Sequence, residues 1–173
     1  MIETRLDKNF KIKGFFDEET STISYVVYDV TSKKCAVIDS VLDFDFSSGT
    51  IDYHNAEKII SFIEKMKLDL EWLIETHVHA DHLSASPYIQ KKLGGKIGIS
   101  EKISDIQNIF GKTFNAGTEF QRDGSQFDRL FKDNDEYKIG SIKCKVINTP
   151  GHTPACTAPV SYTHLTLPTN HPV

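Results

Sequence analysis

Apolar positions along the chain fall into short alternating or continuous runs separated by helical stripes. Ile23 to Val30 (ISYVVYDV) is rich in β-branched and aromatic residues, and Cys35 to Ile38 (CAVI) follows a polar break at Thr31-Ser32-Lys33-Lys34. The pattern predicts two antiparallel strands joined by a short turn. A loop containing Asp, Ser and Gly is expected from Ser40 to about His54. Ile59, Ile60, Phe62, Ile63 and Met66 then recur at helical spacing between Asn55 and Lys67, with charges on the opposite face. Trp72-Leu73-Ile74 reads as a buried strand, Pro87 to Leu93 as a helix stopped by Gly94-Gly95, and Lys96 to Ile99 as another strand. Ser100 is placed to cap a helix carrying Ile103, Ile106, Ile109 and Phe110. Gly111 to Asp135 is weakly patterned and is expected to be mostly loop. Tyr137 to Ile139 and Ile142 to Ile147 predict a hairpin across Gly140-Ser141, with Ile142, Cys144 and Val146 on its inner face. Strands alternate with helices and hairpins stand at each end, so the class is α/β or α+β with a mixed sheet.

Composition narrows the function classes. The chain has 173 residues, 25% of them charged, and a net charge of −4, without a Lys/Arg cluster interleaved with aromatics. A nucleic-acid partner is not expected. The first sixteen residues mix charges into every turn of sequence, unlike a secretory signal, and no apolar run approaches a membrane span. A cytoplasmic location and no membrane partner are expected. Cys35, Cys144 and Cys156 are far apart and form no CxxC pair, so they read as reduced packing thiols.

The candidate chemistry is concentrated in Thr76-His77-Val78-His79-Ala80-Asp81-His82, directly after a predicted buried strand. On an extended segment residues 77, 79 and 81 project from one side, and a turn at Ala80-Asp81 brings His82 round. A helix would spread them over roughly 500° at about 100° per residue. Imidazoles with a carboxylate suit a divalent ion such as zinc or ferrous iron. The alternative is a loop of solvated surface histidines. His152, after Pro150-Gly151, is on its own a turn residue, and becomes a ligand candidate through its coupling to the first cluster.

The HxHxDH string His77 to His82, followed by Thr149-Pro150-Gly151-His152-Thr153, resembles the metallo-β-lactamase superfamily. The likeness runs from about Phe10 to Thr157 and implies an α+β fold, a four-layered αββα sandwich with metals at one edge of two sheets. It implies His77, His79 and His152 as imidazoles of a first metal position. Asp81 and His82 correspond to ligands of a second, or to proton-handling groups where one metal is bound, and Asp39 to the acid that supports the loop beneath. The segments His79 to Ala85, Val41 to Asp45 and Gly151 to Cys156 are similar to the persulfide dioxygenase branch. That branch implies one Fe(II), held by two His, here His77 and His152, and one Asp, and oxidation of glutathione persulfide. A zinc hydrolase of the glyoxalase II type, cleaving a glutathione thioester with Asp81 orienting a hydroxide, is the second possibility. Either implies a glutathione-linked thiol or persulfide substrate. A metal-binding module without catalysis is the third.

The chain departs from this family pattern at its end. Members carry a metal-binding Asp after the Pro-Gly-His motif, whereas no acidic residue follows Glu136 here. At the chain's average rate the stretch Val146 to Val173 would carry about seven charged residues, and it carries none. Pro159 to Asn170 resembles translated sequencing-adapter read-through. The expectation is an incomplete, N-terminal part of the domain over residues 1–157 and a non-native tail over 158–173, which makes His164 and His171 poor ligand candidates.

Overall fold

A computed structural model describes residues 9–161. In chain order the elements are β1 (Phe10–Asp17), β2 (Thr22–Asp29), β3 (Lys34–Ile38), β4 (Val41–Asp45), β5 (Thr50–Asp52), α1 (His54–Lys65), β6 (Asp69–Ile74) and β7 (Leu83–Ser84). They continue with α2 (Ser86–Leu93), β8 (Lys96–Ser100), α3 (Ile103–Thr113), β9 (Arg129–Phe131), β10 (Glu136–Ile139), β11 (Ile142–Asn148) and β12 (Thr157–Ser161).

Six strands form the main sheet in the order β1-β2-β3-β6-β8-β9, antiparallel through β3 and parallel from β3 to β9. Its two faces carry different cores because successive side chains in a strand alternate. Val26, Cys35, Val37, Leu73 and Ile97 face Ala56, Ile59, Ile60 and Ile63 of α1 and Ile89 of α2. Val27, Ala36, Ile38, Ile74 and Phe131 face Tyr137, Ile139, Ile142, Cys144 and Val146 of a second sheet, β10-β11-β12. An irregularity where β3 pairs with β6 steps the register from Cys35↔Leu70 to Ala36↔Trp72. It lets Leu70 and Leu73 share the helix-facing core while Trp72 and Ile74 serve the other.

The expected β2–β3 hairpin, α1, α2, β8 and the β10–β11 hairpin are present within a residue or two of their predicted ends. Two readings change. Ser100 is the buried last residue of β8, not a helix cap; its hydroxyl accepts from Lys102 N at 3.3 Å, and α3 begins at Ile103. The segment expected to be a loop from Ser40 to His54 contains β4 and β5, which pair in a small third sheet with β7. β1, also unpredicted, is the outer strand of the main sheet. β12 pairs with β11 from Asn148↔Thr157 to Cys144↔Ser161, across position 158 where the sequence suggested a boundary. His164, His171 and the rest of the expected tail beyond Ser161 lie outside the described residues. The three cysteines are free and buried, and no helix among the described residues is long and apolar enough to cross a membrane.

Candidate metal centre

The parallel strands β3, β6 and β8 deliver their carboxyl ends to one edge, where the chemistry gathers. Asp39 follows β3 in a left-handed conformation, φ 49°, with its N–H donating to Ile74 O at 3.0 Å. Residues 75–82 follow β6 as an irregular segment, its first amide, Glu75 N, held by Gly98 O at 2.9 Å. His152 lies in the turn between β11 and β12. Thr157 N donates to Thr76 O at 2.8 Å and joins the two segments.

Four imidazoles form a chain. Ring centroids are 5.0 Å apart for His152 and His77, 4.1 Å for His77 and His79, and 4.2 Å for His79 and His82. His77 is 5% exposed and the His79 side chain 4%, so solvated surface histidines are excluded for that pair, whereas His152 is exposed. Among the described residues, donor atoms within 4.8 Å of one another are supplied by two groups: His79, Asp81 and His82, and Asp39, Glu75 and His79. The trio of His77, His79 and His152 is adjacent by its rings without forming such a group.

His79 explains this arrangement. Its Nε2 lies 3.0 Å from Asp39 Oδ1 and 3.4 Å from Glu75 Oε2, the latter an ion-pair distance without hydrogen-bond geometry. Burial opposes charge on His79, but the Asp39 and Glu75 carboxylates outweigh it and raise the pKa to about 10. Burial likewise opposes charge on Asp39, and the His79 and Thr76 donors override it to hold its pKa below the usual carboxylate value. His82 moves the other way: burial first and the neighbouring His79 charge second lower its pKa.

Each of three imidazoles has one nitrogen engaged with an oxygen. Thr76 Oγ1 lies 2.9 Å from His77 Nδ1, Asp39 holds His79 Nε2, and Asp81 Oδ1 lies 3.2 Å from His82 Nδ1. The opposite nitrogens of two of them, His79 Nδ1 and His82 Nε2, are buried without a hydrogen-bond partner. Buried polar atoms are rarely left in that state. An outer oxygen fixing one ring nitrogen while the other is left for an ion is how metal-binding histidines are held, so the donor set fits a divalent metal. Asp81 is partly exposed, with Thr22 Oγ1 at 3.3 Å from Oδ2. Two hollows flank the cluster, one of about 190 Å³ bordered by Asp43, Phe44 and Phe46, the other of about 310 Å³ bordered by Ile97, Ile99 and Phe127. Glu75 is absent from the residues that the sequence singled out, and Thr76 stands in the string without a role. The available signal was a charged residue at the mouth of a buried strand, four positions before a candidate ligand.

The profile of the metallo-beta-lactamase superfamily matches residues 18–160. The chain belongs to the metallo-beta-lactamase superfamily. A probable metallo-hydrolase of Burkholderia pseudomallei is 49% identical over 84% of this chain and 49% of its own length. Glyoxylase B2 of Dictyostelium discoideum is 42% identical over 88% of this chain and 51% of its own. The human mitochondrial persulfide dioxygenase ETHE1 is more distant, 24% identical over 84% of this chain and 45% of its own. The crystal structure of ETHE1 from Myxococcus xanthus superposes with a TM-score of 0.64 at 22% identity, covering 87% of this chain and 53% of that one. The chain therefore spans about half the length of these superfamily relatives, and the layers described above are one part of the superfamily sandwich.

Proposed function

We propose that the protein is a metal-dependent hydrolase of the metallo-beta-lactamase superfamily, with His77, His79, Asp81, His82 and His152 as its metal-binding residues and a glutathione-linked thioester as its substrate. The observation that carries this reading is the pair of orphaned buried nitrogens, His79 Nδ1 and His82 Nε2, on adjacent rings whose other nitrogens are already engaged. Support for hydrolysis comes from the 49% identity to a metallo-hydrolase and the 42% identity to a glyoxylase. A divalent ion held here supplies Lewis acidity and hydroxide at neutral pH. Asp39 and Thr76 hold the imidazoles, and Asp81, partly exposed beside His82, is placed to accept a proton from water.

A persulfide dioxygenase with one Fe(II) is the second reading, favoured by the ETHE1 likeness in sequence and shape. Metal content and turnover of the purified protein separate the two. Zinc with hydrolysis of a glutathione thioester supports the first. A single iron with oxygen consumption on glutathione persulfide moves the assignment to the second, and failure to bind any divalent metal removes both.

A further inference from the structure

We propose that Glu75 is a positioning residue for His79, acting with Asp39 to hold that imidazole by Nε2 and direct Nδ1 toward the ion. The inference rests on His79 being a metal ligand, as argued above. Glu75 is 4% exposed, and a carboxylate so buried is costly unless its oxygens are engaged. Oε1 accepts hydrogen bonds from Ser84 Oγ at 2.5 Å and Ser86 Oγ at 2.6 Å. These serines are themselves tied down: Ser86 N donates to Ser84 Oγ at 3.0 Å, and Ser86 Oγ lies 3.1 Å from Ser40 Oγ. Ala85 N, between them, donates to Ser40 O at 2.9 Å. The carboxylate is thus clamped through one oxygen, which leaves Oε2 aimed at His79 Nε2, 3.4 Å away.

Two carboxylates now converge on one ring nitrogen, since Asp39 Oδ1 lies 3.0 Å from the same Nε2. Turning the ring over would withdraw its N–H from Asp39 and move Nε2 away from both carboxylates, so the pair fixes the side on which Nδ1 lies. Asp39 supplies the hydrogen bond and Glu75 the electrostatic contact, from the ends of two neighbouring strands. The orientation of a ligand is thereby linked to residues 84–86, where β7 ends and α2 begins, although none of these residues is a ligand.

The test compares zinc and cobalt binding by the parent protein with Glu75→Gln, Glu75→Asp and His79→Ala. In Glu75→Gln the amide oxygen still accepts the serine hydroxyls, while its N–H₂ meets the imidazole N–H donor to donor. Glu75→Asp keeps the charge and draws it back by one methylene, and decides the question if the Gln variant does not fold. Expected are a loss of zinc affinity of about tenfold or more and a changed visible spectrum of the cobalt form, in a metal-free protein that remains folded though less stable than the parent. Affinity within about twofold of the parent and an unchanged spectrum in a folded Glu75 variant overturn the proposal. Parent-like affinity in His79→Ala would instead overturn the assignment of His79 as a ligand, so the two failures are distinct.

Discussion

The hydroxyl of Thr76 lies 2.8 Å from Asp39 Oδ2, a carboxylate oxygen that can only accept. That hydroxyl must therefore donate to Asp39 and accept from its other neighbour, His77 Nδ1, at 2.9 Å. The proton on His77 is placed on Nδ1 by a residue outside the ligand string. Thr76→Val keeps the shape and removes the relay; zinc affinity falls about tenfold to a hundredfold, whereas Thr76→Ser retains it. Competition against a chromophoric chelator measures both.

Proton release reports on His79. With its pKa raised to about 10, this imidazole is charged at pH 7 and must lose a proton to bind an ion, while His82, shifted downward, is neutral. Apparent affinity rises with pH toward about 10 because the His79 proton must leave, and calorimetry in buffers of different ionisation enthalpy reads that proton directly. It disappears in His79→Ala. In the metal-free protein the same raised pKa stabilises the fold fully below the unfolded value of about 6.5, and the gain is lost as pH rises through about 10.

Acid sensitivity arises elsewhere, at Asp29. Its carboxylate accepts from Ser141 N and Oγ at 3.0 and 2.6 Å, Ser32 Oγ at 2.8 Å and Thr31 N at 2.8 Å, pinning the β2–β3 turn to the β10–β11 turn. Burial would raise its pKa, but these donors outweigh it and hold the group well below the usual carboxylate range. A depressed pKa contributes stability above the unfolded value of about 3.9, lost as pH falls toward the folded one. Asp29→Asn lowers stability at pH 7 by about 2 kcal/mol and flattens the acid limb of the curve. Urea melts at pH 7 and pH 3 check both effects.

Gly98 in β8 marks the tightest approach in the main sheet. A Cβ there would meet Phe131 Cε2 at 2.5 Å and Ile74 Cδ1 at 3.3 Å, and Phe131 is 2% exposed, with no room to retreat. Gly98→Ala destabilises by about 1–3 kcal/mol through overpacking. Because Gly98 O also accepts from Glu75 N, zinc affinity falls together with the denaturant midpoint.

The legible parts of this molecule are those whose signal is local. β2, β3 and α1 announce themselves in consecutive residues, and His77 to His82 is a single string. β1 alternates Phe10, Ile12 and Gly14 with Lys11 and Lys13, so its apolar signal is diluted by its place at the sheet edge. β4 and β5 are short and carry Asp43, Asp45 and Asp52, residues that favour turns, and are made strands by pairing with each other and with β7. The role of Glu75 is not legible locally because it depends on Ser84 and Ser86, which reach it only after the chain turns back through β7. The Thr76 relay depends on Asp39, which arrives from another strand.

The hydrogen bonds from Thr157 N and Oγ1 to Thr76 O, at 2.8 and 3.2 Å, have a thermodynamic meaning. His77 and His152 are far apart along the chain, and bringing them together costs loop-closure entropy. The fold meets that cost when Thr157 docks beside Thr76, before an ion arrives. Binding free energy then goes to the final adjustment of donors that already stand side by side, not to the capture of a distant segment.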